Sequence, residues 1–298
     1  MKGRYSLKHK KLRKWPLVLM AILFFVGVAS ILYPFVGNLV SVMTANVAIG
    51  GYDEEVKSLD TSEIDELFKK ADEYNKSLYS GSQTDVDAKC LNRTDDIMCY
   101  VDVPKVNIYL PVYYGTSNEV LEKGCGYLEN TSLPVGGKNT HSVISGHTGL
   151  PSAEMFTALD QVEIGDMFYI HILNKVLAYK IDKITDVKPD QTDELRIVSG
   201  EDYVTLLTCT PYGINDRRLL VRGTRVPYTP TSDDDGEQIS EQPTSDESLS
   251  WNVISQFIVI GAIVLIAIII FVLACVMLHF DKKRLEKEHT KTDEKQEE

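Results

Sequence analysis

Read for its alternation of apolar and polar positions, the chain is two long apolar runs with a patterned middle between them. The first run, from about Trp15 to Val36, is long enough to cross roughly 30 Å of hydrocarbon as a helix. The second, Val253 to Leu278, carries no charge at all. Between them, Ser62 to Tyr79 sets Ile64, Leu67, Phe68, Ala71 and Tyr74 near a 3.6-residue period. Glu63, Asp65 and Glu66 favour the first turn, so this stretch is predicted as a helix with one face packed on the domain after it. Gly37 to Val56, with its several small residues, reads as a connector, and polar, aperiodic Gly81 to Asp96 as a loop.

From Met98 the pattern shortens to strands: Met98 to Val103, Asn107 to Tyr113, Ser142 to Ser145, Met167 to Leu173, Val176 to Thr185, Tyr203 to Thr208 and Leu219 to Arg225. Thr116 to Lys123 is predicted as a short helix ended by Gly124, with Thr116 and Glu119 at capping-box spacing. Gln191 to Ser199 reads as a loop between strands flanking a cleft. Short strands separated by Gly, Pro and Asn turns point to a mainly β fold, a closed or nearly closed barrel. Thr229 to Ser250, rich in Ser, Thr, Pro, Asp and Glu, cannot bury enough surface to fold and reads as an acidic disordered tether. The resulting division is 1–14, a basic tail; 15–36, a span; 37–97, a connector with helix and loop; 98–228, the β domain; 229–250, the tether; 251–280, a second span; and 281–298, a tail.

Charge sharpens the topology. Lys2, Arg4, Lys8, Lys10, Lys11, Arg13 and Lys14 precede the first run, and Lys282, Lys283 and Arg284 follow the second. Basic flanks stay in the cytoplasm, so both ends are predicted inside and residues from about Gly50 to Ser250 outside, a two-pass protein of the cell membrane. Although Ala45 to Ala48 resembles a cleavage site, the first run exceeds a signal peptide's core of about 7 to 15 residues, and a retained anchor is the favoured reading. With +7 for the N-terminal tail and −1 for residues 281–298 set aside from the total of −12, the exterior portion carries −18. Such acidity argues against a nucleic-acid partner.

Five cysteines are present: Cys90, Cys99, Cys125, Cys209 and Cys275, the last inside the second apolar run. The exterior is disulfide-permissive. If Cys209 is free, the other three allow one bridge, Cys99 with Cys125 first or Cys90 with Cys99 second, against the alternative that all are reduced.

The chemistry concentrates in Thr205 to Arg225, a strand, a turn containing Pro211, Gly213 and Asn215, and a returning strand. This hairpin brings the Cys209 thiol and the Arg218 guanidinium to one end of a sheet, and a thiol becomes a useful nucleophile beside a cation or base. Of the six histidines, His9, His279 and His289 lie in or beside the predicted tails. His171 sits inside a strand pattern, where a structural role is expected, and His141 in a loop. His147 lies past a strand end, within Gly-His-Thr-Gly, where the backbone can turn and expose the ring.

Two blocks carry a family likeness. Thr208 to Gly213, Thr-Cys-Thr-Pro-Tyr-Gly, followed by Arg218 to Gly223, Arg-Leu-Leu-Val-Arg-Gly, resembles the active-site signature of sortases, the cysteine transpeptidases of Gram-positive cell surfaces. The nearest likeness is to their class C, pilus-building branch. Thr140 to Leu150 is similar to that family's histidine segment, and the likeness extends from about Met98 to Pro227. It implies an eight-stranded β-barrel in which Cys209 attacks a sorting signal of the Leu-Pro-x-Thr-Gly kind and forms a thioester. His147 would act as general acid and base, and Arg218 would hold the oxyanion or the substrate backbone. The acyl group would pass to a lysine amine of a pilin. The partners implied are pilins or surface proteins with C-terminal sorting signals and the membrane, with no cofactor or metal. Arg217, Arg222 and Arg225 compete with Arg218, which alone matches the motif. Class C relatives also carry a lid with an Asp-Pro-aromatic motif, whereas no proline occurs here between Pro34 and Pro104. Tyr114 and Tyr127 stand where relatives often have histidine. Alternative readings are a housekeeping sortase acting on peptidoglycan precursor, a hydrolytic cysteine protease, and a non-catalytic adhesin or scaffold.

Overall fold

The computed structural model describes residues 15–93, 96–228, 257–278, 280, 283 and 284; the tether and most of both tails lie outside the described residues. Two compact units divide the chain, one of Met1–Val36 with Ser245–Glu298, the other Gly37–Thr244. In the first, the apolar stretch of helix α1 (Trp15–Ser58) and a helix over Phe257–Leu278 have the length and composition to cross a membrane.

The second unit begins with a correction. Gly37 to Val56 is no loose connector but the continuation of α1, ending at Ser58. Its small residues allow close packing: Leu39, Ala45, Ile49, Tyr52 and Val56 are buried. The Tyr52 hydroxyl donates to the Met98 carbonyl (3.3 Å) and accepts from the Leu173 amide (2.7 Å), pinning α1 to two strands at once. Helix α2 (Thr61–Ser80) starts at Asp60, whose carboxylate accepts from the Glu63 amide while Glu63 accepts from the Asp60 amide. Gly81 ends it in the left-handed region. Its predicted apolar face packs inward, and Asn75 both donates to and accepts from the Leu133 backbone (3.1 and 2.7 Å). The stretch after α2 is more ordered than a loop: a 3-10 turn at Ala88–Leu91, capped by Asp87, packs against α2 and the first strand and buries Leu91.

Eight strands form a closed barrel: β1 (Ile97–Val103), β2 (Ile108–Tyr114), β3 (Cys125–Tyr127), β4 (Thr140–Ser145), β5 (Met167–Ile172), β6 (Lys175–Val187), β7 (Asp202–Thr210) and β8 (Arg217–Val226). Their order around the barrel is β1-β2-β3-β4-β7-β8-β6-β5, with β5 returning to β1. Three residues long, β3 escaped the sequence reading. The short helix α3 (Asn118–Leu121) is capped by Ser117 accepting from Val120, one residue beyond the predicted Thr116. β4 begins two residues earlier than expected, so His141 lies in a strand and is buried.

All five cysteines are unbonded. Cys99 and Cys125 pair with Val112 from either side, so they are two strands apart, roughly 9.5 Å by the spacing of a sheet and beyond a disulfide's reach. The first-choice bridge is therefore wrong. The second-choice bridge, Cys90 to Cys99, is likewise unmade, with Cys99 fully buried and Cys90 in the capped turn after α2.

Candidate active site

The site is assembled by pairings that no local pattern reveals. β4 and β7 run parallel from Thr140↔Asp202 to Ser145↔Leu207, and the Gly146 amide extends the ladder to the Leu207 carbonyl (3.0 Å). His147 is the next residue, just past the end of β4, as Cys209 lies two residues past Leu207 in β7. On the other side, β7 and β8 are antiparallel and Cys209 pairs directly with Arg218. Cys209 and Arg218 thus stand on adjacent strands at one mouth of the barrel, about 5 Å apart from strand to strand, and His147 follows the end of β4 on the other side of β7. All three are half-buried.

Each position has a local cause. β7 is built from Val, Thr and Leu, and the return is made by a turn in which the Ile214 and Asn215 amides both donate to the Pro211 carbonyl (3.1 and 2.9 Å). Gly213 and Asn215 take the left-handed backbone this turn needs. The histidine loop turns on Gly146, where an added Cβ would come within 2.7 Å of the Phe156 ring. The Phe156 amide donates to the His147 carbonyl (3.0 Å), so the loop wraps this buried aromatic. Sequence reading missed a hydroxyl clamp between the two loops. The Thr208 hydroxyl donates to the Gly146 carbonyl (2.7 Å) and lies 2.7 Å from that of Thr148. The signal was available: both threonines flank the motif residues, at Thr-Cys and His-Thr.

The competing residues separate by their partners. Arg217 pairs with Asp186 (2.7 Å). Arg222 meets Asp182 through two N–H groups (3.0 and 2.7 Å), the carboxylate being thrown outward by a bulge in β6. Arg225 lies over the Tyr179 ring (5.5 Å). Arg218 donates through Nη1 to the carbonyls of Asn215 (3.2 Å) and Arg217 (2.9 Å) and has no carboxylate partner among the described residues. Those two bonds orient the guanidinium through Nη1 alone.

The histidines separate in the same way. Nδ1 of His141 lies 2.9 Å from the Arg196 carbonyl, which can only accept, so Nδ1 carries the proton and Nε2 accepts from the Thr205 hydroxyl (2.7 Å). Burial lowers its pKa, with Arg222 adding to the effect and the Arg196 carbonyl opposing it. His141 is therefore a clamp holding the β6–β7 loop onto the outer face of β7, helped by the Lys183–Glu194 pair (2.6 Å). Lys183, Thr185, Glu194, Thr205, Leu220 and Arg222 line a small recess beneath that loop. His171 stacks on Tyr100 (centroids 4.5 Å), and burial takes its pKa down to about 4. Among the described histidines, His147 alone stands at the mouth beside Cys209 and Arg218.

The Tyr114 and Tyr127 rings sit 5.8 Å apart, and Tyr127 donates to the Thr131 carbonyl; neither occupies the row containing the thiol.

Comparison with known proteins identifies the architecture. A family model described as the sortase domain matches residues 101–226. A Clostridium perfringens sortase C, solved with its C-terminal cell wall sorting motif, is 49% identical and similar in structure with a TM-score of 0.58. That match covers 62% of this chain and all of the other. Streptococcus agalactiae sortase C1 is 42% identical with a TM-score of 0.60, over 62% of this chain and 97% of the other. Streptococcus agalactiae sortase A is 28% identical over 123 residues, 40% of this chain and 49% of that protein, so the chain spans about half the length of that relative. On the strength of these matches the chain belongs to the sortase family of cysteine transpeptidases, with class C sortases as its structural neighbours.

Proposed function

We propose that this chain is a membrane-anchored transpeptidase that cuts a Leu-Pro-x-Thr-Gly-like sorting signal after Thr and joins the acyl group to a pilin lysine. The observation that carries the reading is the pairing of Cys209 with Arg218 at the end of β7 and β8, beside the end of β4 that leads within two residues to His147. Supporting it, the likeness to class C enzymes covers the whole length of a neighbour that was solved with a cell wall sorting motif.

The chemistry follows from acyl transfer. Cys209 Sγ, as thiolate, attacks the Thr carbonyl carbon, and the carbonyl electrons move onto an oxygen facing the Arg218 donors. Collapse breaks the Thr–Gly bond; the leaving glycine amine takes a proton from His147, and a thioester remains on Cys209. The lysine amine then attacks the thioester and gives its proton to His147. The second collapse forms an isopeptide bond and returns the thiolate. One amide bond is broken, one is formed, and the proton borrowed from His147 is restored.

The two apolar helices give the proposed anchors. Enzyme and substrate held in one membrane meet at high effective concentration without further contacts.

The test uses the full chain in lipid nanodiscs with a sorting peptide and a pilin. Expected are an intact-mass adduct equal to the acyl fragment on Cys209 and, with pilin, a ladder of covalent products that survives boiling in detergent. An acid product unaffected by added amines would make the protein a hydrolase, and transfer to peptidoglycan precursor alone would make it a housekeeping sortase. Absence of any adduct would leave a scaffold.

A further inference from the structure

The loop after His147 has bonds of its own, the Gly149 amide to the Thr157 hydroxyl (3.0 Å) and the Ala153 amide to the Leu150 carbonyl (3.3 Å), and is also held from outside. Residues Thr148 to Phe156 return the chain from His147 to the core, and Met155 lies in the left-handed region (φ 43°), unfavourable for an unbranched side chain with a Cβ. Such a conformation persists only where its surroundings impose it. Met155 itself is buried, and on its N-terminal side the Glu154 amide donates to the side-chain oxygen of Asn38 (3.0 Å). On its C-terminal side, the Phe156 amide donates to the His147 carbonyl. A continuous line of bonds therefore runs from Asn38 in α1 through Glu154, Met155 and Phe156 to the backbone of His147. Asn38 is itself buried at 9% exposure. Its neighbour Gly37 brings α1 so close that an added Cβ would lie 2.9 Å from the Ser152 Cα and 3.1 Å from its carbonyl oxygen.

We propose that Gly37 and Asn38, in the helix before the barrel, are positioning residues that hold the histidine loop so that His147 stays at the mouth with Cys209. This rests on the reading of His147 as the acid and base. The helix makes no contact with the reacting atoms; it acts through the loop. Its part is to keep a strained backbone in the one conformation that brings Phe156 under His147, since small displacements of a catalytic group are costly.

The experiment compares four variants of the full chain in nanodiscs, using the sorting peptide with a small amine acceptor and hydrogen exchange by mass spectrometry. Asn38→Leu keeps the forked shape of the side chain and removes the acceptor; about a tenfold fall in kcat is expected with KM within about twofold, together with faster exchange across residues 150–157 and unchanged exchange in β7 and β8. Asn38→Asp restores an acceptor oxygen and should recover most of the lost kcat. Gly37→Ala sets a Cβ against the Ser152 backbone, a clash that its gain in helix propensity only partly offsets, and should lower kcat by displacing Ser152 while exchange in β7 and β8 stays unchanged. His147→Ala is the separate control: activity surviving it would refute the role of the histidine whatever Asn38 does. The proposal itself is overturned if Asn38→Leu leaves kcat and exchange over 150–157 unchanged. It is equally overturned if Asn38→Asp behaves like Asn38→Leu, or if Gly37→Ala retains full kcat.

Discussion

Two cysteine–histidine neighbourhoods of the barrel, one at its mouth and one on its wall, differ in almost everything except composition. At the mouth, Cys209 on β7 and His147 beyond β4 are half-buried, with Arg218 across the ladder. On the wall covered by α1, Cys99 lies next to Tyr100 on β1, and Tyr100 pairs and stacks with His171 on β5. There, burial drives the thiol far above its ordinary range and the imidazole down to about 4, so neither charged form is accessible near neutral pH. A thiolate and an imidazolium are what acyl transfer uses. Residue types alone do not distinguish the two places; access to water and a cation without a carboxylate partner among the described residues do.

The largest effect separates the two cysteines. Cys209→Ala removes the proposed nucleophile and should lower kcat by roughly 10⁶-fold, the scale seen for such residues in triads. Cys99→Ala should keep kcat and KM and lose roughly 1–2 kcal/mol of stability to the cavity left behind. Steady-state kinetics beside thermal melts of both variants checks this. Activity that depends on Cys99 as strongly as on Cys209 would erase the distinction.

Next is the cation. Arg218→Lys keeps the charge but loses the planar fork, and loss of an oxyanion donor costs about 2.7–4 kcal/mol, so kcat should fall by about 10²–10³. Arg217→Lys and Arg222→Lys keep an ion pair with Asp186 and Asp182 and should stay within a few-fold of the parent. Equal losses at all three positions would mean that net charge at the mouth matters, not the placing of one guanidinium.

How much of this was legible in the sequence varies with the range of the interactions. The β7–β8 hairpin and its pairing of Cys209 with Arg218 follow from nearby turn residues and β-branched runs. The likeness in Thr140–Leu150 marked His147, but its place beside Cys209 depends on parallel pairing between strands about sixty residues apart, which leaves no local period. Residues 37–58 misled because small residues suit both a connector and a helix packed closely on a barrel. β3 was hidden by its length. The roles of His141, held by Arg196 and Thr205, and of Asn38, held by Glu154, come from contacts with other parts of the fold that sequence spacing does not encode.

The sealed wall makes the last prediction, on stability rather than rate. His171 has a folded pKa of about 4 against about 6.5 when unfolded, so below pH 6.5 the unfolded chain binds a proton that the folded chain refuses. Its contribution is therefore harmless above about pH 6.5 and costs stability progressively as pH falls toward 4, up to roughly 3 kcal/mol. Asp102, on the same wall, acts with the opposite sign. Burial raises its pKa to about 6, so its penalty is fully present above pH 6 and is relieved as pH falls from about 6 to 4. Between them, these two groups contribute an acid response that is the difference of the two, shallower than either alone. Substituting His171→Phe keeps a ring to stack on Tyr100 and removes the proton site. The variant should lose less stability than the parent between pH 7 and 4, with the gap opening as pH drops, and should keep its catalytic pH profile because the wall takes no part in the chemistry. Denaturant melts of both proteins at half-unit pH steps measure the gap, and parallel curves would show that the imidazole on this wall titrates as freely as one in water.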